Sequence, residues 1–195
     1  MCGHGWLHRH ALSVALLATN RPGRLAPSTS VPAKEPLRPL LLVDIDGVIS
    51  LFGFPPHKRP AGVFHSIDGI PHLLSTAAAA HLLDLVSVYE LVWCSGWEEK
   101  AEEYLPHLLG LPRGLPFLGF ERSPGRSHAH WKLDAVDSFA GPARALAWID
   151  DAFNDACHAW ASARAAPTLL VQTEPHTGLA EPEAARLRSW AENVF

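Results

Sequence analysis

This sequence predicts an α/β domain with a mainly parallel central sheet and helices on both faces. Two observations carry that expectation. Short apolar runs alternate with helical patterns through most of the chain, as they do where crossover helices join parallel strands. Three of those runs, LLLVDID, ELVWCS and ALAWIDD, end in aspartate or serine. Parallel sheets bind ligands outside the carboxyl ends of their strands, so three such endings define one candidate edge.

At 195 residues the chain has the length of one domain with a real core. Its 48% apolar and 18% charged content marks it as globular rather than disordered. A net charge of −4 implies no broad basic surface and argues against a non-specific nucleic-acid binder. It leaves room for a small phosphorylated substrate, or a nucleic-acid end, held in a local site. Cys2, Cys94 and Cys157 are widely spaced and form no CxxC, a usage that suits a reducing compartment. Cys94 lies in an apolar run and reads as a small buried hydrophobe.

Residues 1–36 read differently from the rest. The stretch ALSVALLA at Ala11–Ala18 follows Arg9 and His10 like a stunted export signal, but no clear small-x-small site follows it. It is too short to span a bilayer. The Pro- and Ser-rich segment after it reads as linker. We expect a flexible extension over 1–36 and one folded domain over 37–195, in the cytoplasm. Export through an atypical N-terminal signal is the alternative.

The first strand is the apolar run Leu40–Ile45, within PLLLVDIDGVIS. It delivers Asp44 and Asp46, with Gly47 free to turn the chain sharply. Phe52–Ile70, rich in Gly and Pro, reads as a long loop or small hairpin over that edge. Its His57, Lys58 and Arg59 are either a solvated cluster or positive charge near a phosphate. Pro71–Val86 reads as a helix with proline in its first turn. Tyr89–Cys94 is the next strand, ending at Ser95. Glu98–Leu109 is a helix with early acids, stopped by Gly110 and Pro112. Leu115–Phe120 is expected as a strand and Glu121–His128 as a polar turn. His130–Phe139 is expected as a helix with Lys132 in its first turn. Ala145–Ile149 is a strand ending at Asp150-Asp151. Ala152–Arg164 is helical, Thr168–Val171 a strand, and Glu181–Trp190 the last helix. The seven tryptophans show no stacking pattern for nucleic acid, and Trp93 and Trp148 read as core.

The polar endings suit phosphoryl transfer to a carboxylate. Asp44 can attack phosphorus and become an aspartyl-phosphate. Mg²⁺ takes hard oxygen ligands, which Asp44, Asp150 and a carbonyl near Asp46 offer. Such an ion lets an anionic nucleophile approach an anionic phosphate. Ser95 and Lys132 can hold the equatorial oxygens, and Asp46 can protonate the leaving oxygen and later activate water.

These residues give the chain its resemblance to the haloacid dehalogenase-like (HAD) superfamily. Its first motif, DxDG, appears as Asp44-Ile45-Asp46-Gly47. Its second, an apolar strand ending in Ser or Thr, appears as LVWCS at Ser95. Its lysine appears as Lys132 in HWK, and its acidic pair as Asp150-Asp151 in WIDD. The resemblance covers about residues 38–172 and implies a three-layer Rossmann-like fold. It makes Asp44 the nucleophile and a Mg²⁺ ligand, and Asp46 the general acid/base with its carbonyl on the metal. It makes Ser95 and Lys132 phosphate binders, Asp150 a direct ligand, and Asp151 a ligand or the holder of a metal-bound water. Val48 stands where many phosphatases of the superfamily have Thr. Non-phosphatase members often lack an acid at the position of Asp46, so its presence favours a phosphatase over a dehalogenase.

No large cap fits the spacing. About 24 residues lie between Gly47 and Pro71, and 36 between Ser95 and Lys132. The resemblance therefore implies a small capless member with an open site, acting on a phosphorylated small molecule or a macromolecular phosphate end. The segment GWEEKAEEYLP is similar to small bacterial members. The alternative is a non-catalytic Mg²⁺-binding interaction module. A receiver domain would place its acidic pair first, and a dinucleotide site would need GxGxxG. No HExxH or close Cys/His quartet supports zinc, and no GxSxG supports a serine hydrolase.

Overall fold

The computed structural model describes residues 37–120 and 130–194, all within one unit spanning Pro36–Phe195. The extension read over 1–36 and the polar turn read over 121–128 lie outside the described residues. In chain order the strands are β1 (Leu40–Val43), β2 (Ser50–Leu51), β3 (Gly62–Ile67), β4 (Ile70–Ser75), β5 (Glu90–Trp93), β6 (Leu146–Asp150) and β7 (Thr168–Gln172). The helices are α1 (Thr76–Leu85), α2 (Glu99–Leu109), α3 (Leu133–Ala140), α4 (Asp155–Ala163) and α5 (Glu181–Val194).

Four strands form a parallel sheet in the order β5-β1-β6-β7. The first apolar run thus lies inside the sheet, flanked on both sides. Alternation along the strands divides the core in two. Leu41, Val43, Leu91, Trp93, Ala147 and Ile149 face one way, onto Leu82 and Leu85 of α1, Leu105 of α2 and Leu187 of α5. Leu40, Leu42, Val92, Leu146 and Trp148 face the other, onto Leu133 and Val136 of α3 and Cys157 of α4. This is the three-layer α/β architecture that the alternation of strands and helices predicts.

The helices begin and end on local chemistry. The Ser75 side chain accepts the Ala78 N–H at 3.1 Å and caps α1, whose alanine-rich first turns favour the helix. Asn154 caps α4 by accepting the Cys157 N–H at 3.2 Å. Gly110 ends α2 in the left-handed conformation that glycine adopts at least cost.

Between the first strand and α1 the chain makes a second, antiparallel sheet in the order β2-β4-β3. Of the loop and the hairpin expected here, the hairpin forms, turning at Asp68-Gly69 with positive φ at both residues. The helix expected from Pro71 is corrected: Pro71–Ser75 belongs to β4, and α1 starts at Thr76. A two-residue turn closes on the pair Ile67–Ile70, so the next pair, Ser66–Pro71, needs no hydrogen bond across the strands. The missing N–H of Pro71 therefore costs the ladder nothing. The strand expected at Leu115–Phe120 is also corrected. Only Phe117 bridges, beside Trp93, since Pro116 brings no N–H to a ladder. No helix among the described residues is long and apolar enough to cross a membrane.

Leu82 is fully buried between α1 and the sheet. Leu82→Ala should lower unfolding stability by about 2–5 kcal/mol, read from the urea midpoint at unchanged slope.

Candidate active site

Asp44 leaves the sheet directly after β1. Its N–H donates to the Ile149 carbonyl at 3.0 Å, while the Cys94 N–H donates to the Val43 carbonyl at 2.8 Å. Both neighbouring strands thus fix the backbone where Asp44 emerges. The chain then folds into a tight loop in which the N–H groups of Ile49 and Ser50 both donate to the Ile45 carbonyl at 2.8 Å. Gly47 sits in that loop at φ +74, and a Cβ there would lie 2.5 Å from Asp151 Oδ2. Backbone and space both require glycine. A strap from the far end of the chain braces the loop. Thr173 Oγ1 donates to the Gly47 carbonyl at 2.9 Å, and the Leu179 N–H to the Val48 carbonyl at 3.0 Å.

Lys132, at the start of α3, reaches under this loop. Its Nζ lies 2.8 Å from Asp44 Oδ2 and 2.7 Å from Asp150 Oδ2, and only 3% of the side chain is exposed. Asp150, at the end of β6, is held further by the Trp148 indole N–H at 3.2 Å and the Ala152 N–H at 3.0 Å. Asp151 follows, partly exposed. One carboxylate oxygen each from Asp44, Asp150 and Asp151 lies within 4.8 Å of the others.

The charges do not balance. Three carboxylates face one ammonium, which leaves the charge that a divalent cation would neutralise. Burial pushes the Asp44 carboxyl up from 3.8 to about 7; Lys132 opposes the rise and Asp150 adds to it. Burial and Asp150 also push Asp151 up. Burial would lower the Lys132 ammonium, but Asp44 and Asp150 outweigh it and hold it above its ordinary range. Clustered hard oxygens with surplus negative charge fit a cation such as Mg²⁺.

Asp46 stands apart, with 51% of its side chain exposed. The Trp97 indole N–H donates to its Oδ2 at 3.0 Å. His72 Nδ1, on β4, lies 3.9 Å from its Oδ1 and shares a 2.9 Å hydrogen bond with Ser50 Oγ. The His72 ring meets Trp97 edge-on at 4.9 Å. Ser95 is buried just past β5, and β5 lies beside β1 in a register that pairs Trp93 with Val43. The structure thus gathers Asp44, Lys132, Asp150 and Asp151 in one cluster. It places Ser95 on the same sheet edge and Asp46 at the mouth. His57, Lys58 and Arg59 are exposed on the short turn after β2, where Arg59 lies over the Phe64 ring at 5.7 Å.

Sequence reasoning missed Trp97, His72 and the second role of Trp148. Trp148 is core, as expected, yet its N–H also holds Asp150. The signal was its place two residues before Asp150 on a strand, which puts both side chains on one side. Trp97 lies two residues past Ser95, close enough to suggest a place at the rim. His72 carried no signal, because it reaches Asp46 only through the hairpin.

Residues 40–184 match the family described as the HAD domain in Swiss Army Knife RNA repair proteins. That span is most of the chain, so the chain belongs to this family and to the HAD-like superfamily. No curated protein matches it. HAD domains are in general hydrolases of phosphate esters, and their usual ion is Mg²⁺.

The raised Asp44 carboxyl has a consequence for stability. Its folded value of about 7 exceeds its ordinary 3.8, so the stabilisation from protonated Asp44 is complete below pH 3.8 and is lost as pH rises through about 7. In metal-free protein, urea stability should fall across that window, and Asp44→Asn should remove the fall. Added divalent cation should flatten it by favouring the ionised carboxylate. A wild-type slope identical to that of Asp44→Asn would contradict the assignment.

Proposed function

We propose that the chain is a Mg²⁺-dependent phosphatase that works through an aspartyl-phosphate on Asp44, and that its substrate is the phosphate end of a polynucleotide. The observation that carries the reading is the division of labour among the carboxylates. Asp44 is buried against Lys132 beside Asp150 and Asp151, whereas Asp46 is half-exposed and tied by Trp97. A site that only binds a cation has no use for a separately held acid there. The polynucleotide assignment rests on the description of the family as a domain of RNA repair proteins.

Asp44, Asp150 and Asp151, with the backbone carbonyl of Asp46, would hold Mg²⁺. When bound, the ion draws negative charge from the phosphate and from the attacking carboxylate. An Asp44 oxygen attacks phosphorus as the bond from phosphorus to the ester oxygen breaks. Asp46 gives its proton to that oxygen, and the alcohol leaves. Lys132 and the Ser95 hydroxyl hold the nonbridging oxygens as charge shifts among them. Water then attacks the phosphorus of the acyl phosphate, and Asp46 takes the proton that water loses. The bond between phosphorus and Asp44 breaks, which frees inorganic phosphate and restores the Asp44 carboxylate and the Asp46 acid. Trp97 keeps Asp46 aimed at the leaving oxygen.

We take residues 37–195 as a single catalytic domain without a large cap, and 1–36 as a flexible extension. We place it in a bacterial cytoplasm, a reading supported by Cys94 and Cys157, which are buried free thiols.

The first test is Mg²⁺-dependent phosphate release from an aryl phosphate and from oligonucleotides phosphorylated at either end. Asp44→Asn should reduce release to background, and a chelator should do the same reversibly. Asp46→Asn should cost about 10²–10⁴-fold in kcat. Folded, Mg²⁺-bound wild type that releases no phosphate from any of these would favour the interaction module. Trp97→Phe should lower kcat about ten-fold on alkyl phosphates. It should cost less on an aryl phosphate, whose leaving oxygen needs a proton least. Equal losses on both would remove Trp97 from the positioning of Asp46.

A further inference from the structure

We propose that His72 is a positioning residue for the acid Asp46, acting through the Trp97 indole. The inference rests on the reading of Asp46 as the acid and base of a phosphatase, and adds the residue that fixes its indole partner.

The Asp46 carboxylate is half-exposed, and Trp97 donates to it at 3.0 Å. A carboxylate in that position can swing between rotamers, so its aim is only as firm as the indole that ties it. Trp97 is itself half-buried, in the turn after β5 where the Glu98 N–H donates to the Ser95 carbonyl at 3.0 Å. His72 meets this indole edge-on, with ring centres 4.9 Å apart and planes at 73°, an arrangement that aromatic pairs favour.

His72 is well placed to brace the indole because it is fixed at its other end. It lies inside β4, paired with His65 of β3, and only 16% of its side chain is exposed. Its Nδ1 shares a 2.9 Å hydrogen bond with Ser50 Oγ, and Ser50 is buried. Ser50 belongs to the acid's own loop. Its N–H donates to the Ile45 carbonyl and its carbonyl accepts the Gly47 N–H, both at 2.8 Å. The contacts therefore close a circuit, which leaves the loop at Ser50, crosses to His72, passes to Trp97 and returns to the loop at Asp46. His72 Nδ1 lies 3.9 Å from Asp46 Oδ1, beyond hydrogen-bond reach. Its hold on the acid thus runs through the indole. Histidine suits the place because it offers a ring edge to Trp97 and a nitrogen to Ser50 at once. Phenylalanine supplies only the first, and asparagine only the second.

The test compares an alkyl with an aryl phosphate, with the Mg²⁺-loaded protein. His72→Ala should lower kcat about three- to ten-fold on the alkyl ester with KM unchanged. It should cost less on the aryl ester, whose leaving oxygen needs a proton least. Added to Trp97→Phe it should cost nothing further, because the N–H it keeps in place is already gone. His72→Phe keeps a ring against the indole and should recover most of the lost rate. Equal losses on both esters would make His72 merely structural, and losses that multiply in the double variant would make it independent of Trp97. Either result overturns the inference. If wild type turns over neither ester, the phosphatase reading fails on its own. The brace is then read from the Trp97 indole N–H signal in a proton–nitrogen NMR spectrum, assigned by its disappearance in Trp97→Phe. Faster exchange of that proton with water in His72→Ala, slowed again in His72→Phe, sustains the brace. An unchanged exchange rate overturns it.

Discussion

The Lys132 ammonium, shut away from water between Asp44 and Asp150, sets the terms for the rest of the molecule. A charge so deeply buried is tolerated only when paired and geometrically fixed. The sheet supplies that geometry. β1 lies between β5 and β6, so Asp44 and Asp150 leave adjacent strands side by side, and α3 brings the lysine up between them. Shifting any of these elements by one residue would strand a charge. The apolar faces above and below the sheet hold this register more than they build a pocket. The surplus negative charge is what would suit the cluster to a cation.

The strand endings were legible because their chemistry is local: an apolar run, an acid at its end, a glycine after it. Asp44, Asp46, Ser95, Asp150 and Asp151 stand out as the polar ends of apolar strands, whereas Lys132, at the start of α3, stands out only through the superfamily motif. The boundary at Pro71 was not legible. Proline opens helices and also fits a strand position that needs no hydrogen bond, and only the partner strand decides between them. LPFLGF looked like a strand by composition, but Pro116 allows it to touch β5 at one point only. Trp97 and His72 are site residues through contacts across 51 residues and through the hairpin, which no window of sequence displays.

The hairpin stands beside the candidate site at Asp46. Its strands carry His72 to Asp46, and its tip is tied to α2 by the ion pair of Asp68 and Lys100. One side of the candidate site is therefore a small sheet with its own register.

The strap at Thr173–Leu179 carries none of the chemistry, yet it fastens the loop that bears Asp46. Gly178, at φ +67, packs against the Val48 carbonyl so closely that any side chain there would collide with it. For protein engineering this makes the tail of the domain part of what shapes the candidate site. A fusion joint, affinity tag or surface-attachment point placed close to the strap would pull on the acid loop from behind. Such a graft would reach the chemistry through the backbone, with every motif residue intact.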